Sequence, residues 1–175
     1  MAPPETPTSP RPAPVRAAGP DDAPEVVRLA ELMYRSLGVI HDDDVWAAWR
    51  RAAQAVVRSG LGPAMRVVVA EDPDEDGRLV ACGAGTVVTR LPNPSHADDR
   101  VGYIQWMSTD VAFRRRGLGR AVLDALLAWY DETGVDNIEL HASPAGVALY
   151  RAAGFWEGST GLALRRRPWD PRPPP

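Results

Sequence analysis

The chain has 175 residues, 45% of them hydrophobic, and a formal net charge of −3. That length suits one compact domain with a real core, and the slightly acidic balance gives no general affinity for polyanions. No apolar run approaches about 20 residues, the N-terminus lacks the basic and apolar regions of a signal peptide, and the single cysteine, Cys82, has no internal disulfide partner. The expectation is a cytoplasmic domain with no membrane partner.

Residues 1–14, rich in Pro, Thr, Ser and Ala, cannot bury a core and are expected to form a mobile tail. Residues 168–175 read the same way, which leaves a single folded domain over residues 15–167. Within it, residues 15–18 are a short strand. Asp21 or Asp22 can cap a helix that carries Val26, Val27, Leu29, Ala30, Leu32, Met33 and Leu37 and stops at Gly38. The polar link of His41 and Asp42–Asp44 can cap a second helix over residues 43–59. Residues 65–70 are β-branched and strand-like, Asp72–Gly77 is a turn, and residues 78–90 return as a hairpin partner. The small residues Ala81–Gly85 in that return mark a bulge or a close backbone approach. After a Pro-containing loop, residues 101–109 do not alternate cleanly, which predicts a central strand covered on both faces.

The stretch from Asp110 to Arg120 joins that strand to an amphipathic helix over residues 118–132, whose stripe is Leu118, Val122, Leu126 and Trp129 flanked by Leu123, Leu127 and Tyr130. Gly117 and Gly119 sit at the junction, with Arg114, Arg115, Arg116 and Arg120 around them. The first N–H groups of a helix lack intrahelical partners and lie at its positive end. Glycine lets a ligand approach that backbone, and guanidinium groups fit phosphate oxygens. The element is therefore a candidate phosphate or pyrophosphate cradle. A further strand over residues 137–142, a helix from Pro144 to Gly154 opened by Ser143, and two short closing strands around Gly158–Gly161 complete the order β-α-α-β-β-β-α-β-α-β-β. That order predicts an α/β (α+β) fold with a mixed, mostly antiparallel sheet and flanking helices.

Arg114-x-x-Gly117-x-Gly119 resembles the Gln/Arg-x-x-Gly-x-Gly/Ala signature of the GNAT superfamily of N-acetyltransferases. The segment from Leu140 to Phe155, with Leu149-Tyr150 ahead of Gly154-Phe155, resembles that family's second landmark, in the expected order and on the expected elements. The resemblance implies splayed central strands that admit acetyl-CoA as co-substrate, with no metal. It implies that the backbone of Met107, Ser108 and Thr109 pairs with the pantetheine arm, that the N–H groups from Arg115 through Leu118 to Arg120 hold the pyrophosphate, and that Tyr150 protonates the leaving thiolate. Many relatives carry asparagine where Ser143 stands, so Ser143 is read either as a cofactor contact or as a helix cap. Some relatives use a strand glutamate as general base; here Ile138 occupies that position, which leaves Glu139, His141 or a water chain as candidate proton acceptors. The acceptor is read as a small-molecule or peptide amine, and dimers are common in the family.

Plainer readings stand beside these. Arg114–Arg116 also fits a solvated basic turn, and Tyr150 a core tyrosine satisfied elsewhere. Asp42–Asp44 either solubilise and cap or attract a cationic amine. Trp46 and Trp49 fit packing better than substrate contact, and Arg165–Arg167 reads as a strand end. The acetyltransferase reading competes with a non-catalytic CoA-binding sensor and, more weakly, with a nucleotide- or nucleic-acid-binding domain, which would need a broader basic face.

Overall fold

A computed structural model describes residues 15–91, 99–157 and 163–165, with the backbone alone at 157 and 163–165. The elements are β1 Val15–Ala17, α1 Ala23–Ser36, α2 Asp43–Gly60, β2 Met65–Glu71, β3 Leu79–Thr89, β4 Arg100–Thr109, α3 Leu118–Glu132, β5 Ile138–His141, α4 Val147–Ala152, β6 Trp156–Glu157 and β7 Ala163–Arg165. They form one sheet in the order β1-β2-β3-β4-β5-β7-β6. Every neighbouring pair is antiparallel except β4 with β5, which run parallel. The predicted fold class and element order are those observed. Both tails, and the tip between the two closing strands, lie outside the described residues.

The two faces of the sheet bury different helices. One carries Val67, Val69, Cys82 and Ala84 against Val26, Val27, Leu29, Ala53 and Val57 of α1 and α2. The other carries Val68, Ala70, Ile104, Ile138 and Leu140 against α3, Tyr150 and Phe155. All seven apolar side chains of the α3 stripe are buried. Each large one contributes about 1.5–3 kcal/mol relative to exposure, so this face anchors the helix whose first turn forms the cradle.

Local signals explain most boundaries. The Asp42 carboxylate accepts from the Val45 N–H at 2.8 Å and caps α2. Asp22 does not cap α1: its carboxylate accepts from the Gly19 N–H at 2.7 Å and pairs with Arg16 at 2.7 Å, tying β1 to the helix entry instead. α4 begins at Val147 rather than at Pro144, because Gly146 and Val147 both donate to the Ser143 carbonyl and make a separate turn first.

The small residues of β3 do mark a close approach. Tyr130 lies over Gly85 and Gly102 and donates to the carbonyls of Thr86 and Tyr103, both at 3.1 Å. A Cβ at Gly102 would stand 2.6 Å from Cε1 of that buried ring. Gly102→Val is therefore expected to destabilise the protein by about 2–4 kcal/mol through overpacking. Equilibrium urea unfolding measures this, and a change under about 0.5 kcal/mol would show that the ring moves aside freely.

Candidate active site

The parallel ladder pairs Gly102 with Ile138, Tyr103 with Glu139 and Ile104 with Leu140, and there it ends. Over its last residues, Gln105–Thr109, β4 keeps β3 on one side and, among the described residues, has no strand on the other. A slot thus opens through the sheet between the end of β5 and the second half of β4. Among the described residues, its edge is backbone from which no neighbouring strand draws hydrogen bonds.

A bulge in β4 shapes this edge. Cys82 pairs with Ser108 but Ala84 pairs with Gln105, so one extra residue sits in β4 opposite Gly83. Trp106 takes φ 56°, rare for a bulky residue. The bulge turns Trp106 toward α1 and α2, where its indole N–H donates to the Tyr34 hydroxyl at 3.1 Å and its ring meets Trp49 edge-on at 6.0 Å. Met107 turns the other way, packing into the α3 core over Gly83, where a Cβ would collide with its sulfur and stand 2.8 Å from Val122. Ser108 donates to the Leu29 carbonyl at 2.7 Å, fastening β4 to α1. Met107, Ser108 and Thr109 all lie on the splayed half of β4.

The chain then enters a short 3-10 turn, with the Asp110 carboxylate accepting from the Ala112 N–H, and reaches the cradle. Arg115 and Gly117 both take left-handed backbone, φ 65° and 82°. Alternation of left- and right-handed residues points successive N–H groups into one concavity. Among the described residues, no backbone carbonyl accepts from any N–H between Arg115 and Arg120; the first bond of α3 is Ala121 N–H to the Gly117 carbonyl at 3.0 Å. Six consecutive donors are thus available at the positive end of a 15-residue helix.

The arginine side chains divide. Arg114 Nε donates back to the Thr109 carbonyl at 3.1 Å. Arg120 is engaged by Asp124 at 2.8 Å and reaches the Ala152 carbonyl at 3.3 Å, linking α3 to the end of α4. Arg116 lies 4.9 Å from the Phe113 ring centroid, and Arg115 is exposed. Two of the four are thus occupied in holding the fold.

Tyr150, on α4, is 6% exposed and packs edge-on against Phe155 at 5.9 Å. Its hydroxyl has no hydrogen-bond partner among the described residues. Burial pushes the phenol up to about 12, so it keeps its proton at any working pH. Ser143 stands half-buried at the start of the turn leading to α4, whose N-cap position is Gly146. Glu139 is 8% exposed and its carboxylate accepts from Arg90 at 2.7 Å. Beside it, across the strand gap, the Tyr103 hydroxyl and His141 Nδ1 are 2.8 Å apart, a contact that sequence reading missed. Cys82 is 1% exposed, with its thiol on the Trp106 carbonyl, and burial pushes it up to about 12. A thiol so placed is no nucleophile.

Two surface depressions of about 400 and 500 Å³ lie away from the slot, one between α1 and α2 and one at the β2–β3 turn. Their arginines are in carboxylate pairs, Arg35 and Arg50 with Glu31, Arg28 with Glu25, and Arg78 with Glu75. They offer no counterpart to the run of unpaired donors at the cradle. No group of His, Cys, Asp and Glu among the described residues could hold a metal ion, and no described helix is long and apolar enough to cross a membrane.

Comparison with known proteins places this architecture. Glucosamine 6-phosphate N-acetyltransferase 1 of Oryza sativa subsp. japonica is 31% identical over 106 residues, 61% of this chain and 62% of that protein. The chain thus matches less than two thirds of the length of the curated relatives. The crystal structure of a GCN5-related N-acetyltransferase from Ralstonia eutropha JMP134 superposes with a TM-score of 0.71 at 30% identity, over 85% of this chain and 95% of that one. A predicted acetyltransferase from Clostridium acetobutylicum, solved with acetyl-CoA, shares the fold with a TM-score of 0.71 at 23% identity, over 85% and 93%. The sequence model of the Acetyltransferase (GNAT) family matches residues 25–155, which spans both the cradle and Tyr150, and the chain belongs to that family.

Proposed function

We propose that the protein moves an acetyl group from acetyl-CoA to a primary amine by direct attack in a ternary complex. The observation that carries this reading is the continuity of the slot with the cradle. The splayed half of β4 leads through one turn into six unpaired N–H groups, the arrangement an extended thioester ending in a pyrophosphate would fill.

In that complex the backbone of Met107, Ser108 and Thr109 pairs with the pantetheine arm, and Arg115–Arg120 hold the pyrophosphate. Arg115 and Arg116 supplement the backbone donors, and Ser143 borders the cofactor. Tyr150 stands on the α3 face, where the sulfur would lie, with a hydroxyl that has nothing else to bond. It donates its proton to the departing thiolate. The amine enters from the opposite face, past Tyr34, Trp106 and Tyr103. Much of the acceleration comes from holding both reactants in one geometry. Cys82 is unsuited to carry the acetyl group, which favours direct transfer. The named glucosamine-6-phosphate relatives make an amino sugar phosphate one acceptor to test. A cytoplasmic setting, consistent with a free thiol, belongs to the same proposal.

Thermal melts test cofactor choice. Acetyl-CoA at about 100 times its dissociation constant is expected to add about 2.7 kcal/mol of stability, a rise of roughly 5–10 °C for a domain of this size. ATP at equal concentration should give much less, because it cannot fill the slot. Equal shifts for the two would replace the CoA reading with a general nucleotide site.

A further inference from the structure

Resting on the acetyl-transfer reading, we propose that His141 accepts the proton released by the attacking amine and that Tyr103 positions its ring.

Register places the pair. Tyr103 stands opposite Glu139 in the parallel ladder, so His141 is two residues further along β5 on the same face. Were the ladder continued, His141 would face Gln105, the first residue of β4 beyond the last bridge. His141 therefore stands at the mouth of the slot, on the face away from Tyr150, where the amine arrives. Its ring reaches back across the gap to the Tyr103 hydroxyl, 2.8 Å from Nδ1, with ring centroids 5.9 Å apart.

Either ring tautomer fits this contact, and the one that serves as a base leaves Nε2 free. With the hydrogen on Nδ1 donated to the phenol oxygen, Nε2 keeps a lone pair, and the exposed ring leaves it open to a substrate. Tyr103 suits the task because burial, with Tyr34 and Glu139 nearby, raises its phenol above the ordinary range and keeps it uncharged. Among the described side chains, the charged neighbours on this face are Glu139, two residues earlier on β5, and Arg90, just past the end of β3, and these two hold each other at 2.7 Å. On the other side, β7 sets Ala163 beside His141, with Arg165 as register partner of Glu139. The carboxylate that sequence reading offered as a base is thus engaged, while the imidazole faces the opening.

The step balances without a further reactant. The amine lone pair forms the N–C bond and the carbonyl π pair moves to oxygen. The N–H proton passes to Nε2 of His141. The oxygen pair then re-forms the carbonyl, the C–S bond breaks with its electrons on sulfur, and sulfur takes the Tyr150 proton. Solvent later returns one proton to Tyr150 and removes one from His141.

The test uses an alkoxyamine acceptor, unprotonated across the neutral range, so that any loss of rate toward acid belongs to the enzyme. His141→Asn keeps an N–H for Tyr103 but has no proton acceptor. It is expected to lower kcat about 100-fold, to leave the KM for acetyl-CoA within about twofold, and to abolish the fall in rate toward acid. Tyr103→Phe should cost about 10-fold and keep that fall. Imidazole in the buffer should restore rate to His141→Ala in proportion to its concentration. If His141→Asn turns over within twofold of wild type, or is slow but keeps the wild-type pH profile while His141→Ala gains nothing from imidazole, the proposal is overturned and His141 is structural. A wild-type protein that releases no thiol with any amine sinks the acetyl-transfer reading itself, a different failure.

Discussion

Tyr150→Phe is expected to lower kcat by about 100- to 1,000-fold while the melting temperature stays level or rises slightly. The two effects separate because the hydroxyl bonds to no other group among the described residues. Its ring is 6% exposed and packs on Phe155 at 5.9 Å, and phenylalanine keeps both features. No hydrogen bond of the hydroxyl to another described residue is lost in the phenylalanine variant, so removing it does not weaken the fold. On the proposed mechanism catalysis, in contrast, loses the proton for the thiolate, and general acid catalysis contributes about 10²–10⁴. Because burial lifts the phenol to about 12, its ionisation sets no alkaline limb up to about pH 10 in the wild type. Steady-state kinetics and a thermal melt on the same preparation check this. A variant that keeps full turnover, or one that loses several degrees together with its rate, would return Tyr150 to a packing role.

Gly119→Ala is expected to leave stability unchanged or improved and to weaken CoA binding about 10-fold, with Gly119→Leu weakening it more than 100-fold. A Cβ at Gly119 meets only Leu149 and the Thr109 hydroxyl, both at 3.7 Å, which is ordinary contact. Alanine also favours helix over glycine by up to about 1 kcal/mol. What the methyl group obstructs is the close approach of a pyrophosphate to the first turn of α3. Gly117 is a less clean probe, because its φ of 82° makes any side chain strained whether or not a ligand binds. Arg115→Ala and Arg116→Ala should weaken binding only about 3- to 10-fold, increasingly masked by salt. Calorimetric titration with CoA gives the order. If the arginine variants lose more than Gly119→Leu, the side chains and not the backbone hold the phosphates.

These expectations draw unequally on what the sequence could disclose. α3 was legible because its seven apolar residues follow one helical stripe with two glycines at its start, and the structure assigns Leu118–Glu132 as expected. The backbone geometry of the cradle was legible for the same reason, because it is local. The start of α4 was not, because Pro144 fits either a first helical turn or the separate turn that Ser143 closes. The β4 bulge was half legible. Non-alternating Tyr103–Met107 suggested a strand covered on both faces, and the small residues Ala81–Gly85 suggested a close approach. That the extra residue falls in β4, and swings Trp106 toward Tyr34, depends on pairing between two strands. The same holds for Tyr103 with His141 and Arg90 with Glu139, contacts across 38 and 49 positions that only the parallel register and the sheet order bring together. Chemistry carried by one turn and one helix start can be read from spacing; chemistry carried by strand register cannot.

On the proposed reading the acceptor is met by that second kind of geometry, so it is best found by experiment. The chain contains no lysine, so the protein offers no lysine amine of its own to consume acetyl-CoA. Thiol release should therefore have a low background. The most direct measurement is amine-dependent release of free CoA from acetyl-CoA across a panel of amino sugars and their phosphates, polyamines, arylalkylamines, amino acids and peptide N-termini. The account predicts release with at least one class, loss of about two orders of magnitude in Tyr150→Phe, and an acetylated amine formed in equal amount. Binding of acetyl-CoA with no thiol released above background for any amine would contradict it and leave a protein that binds the cofactor without using it.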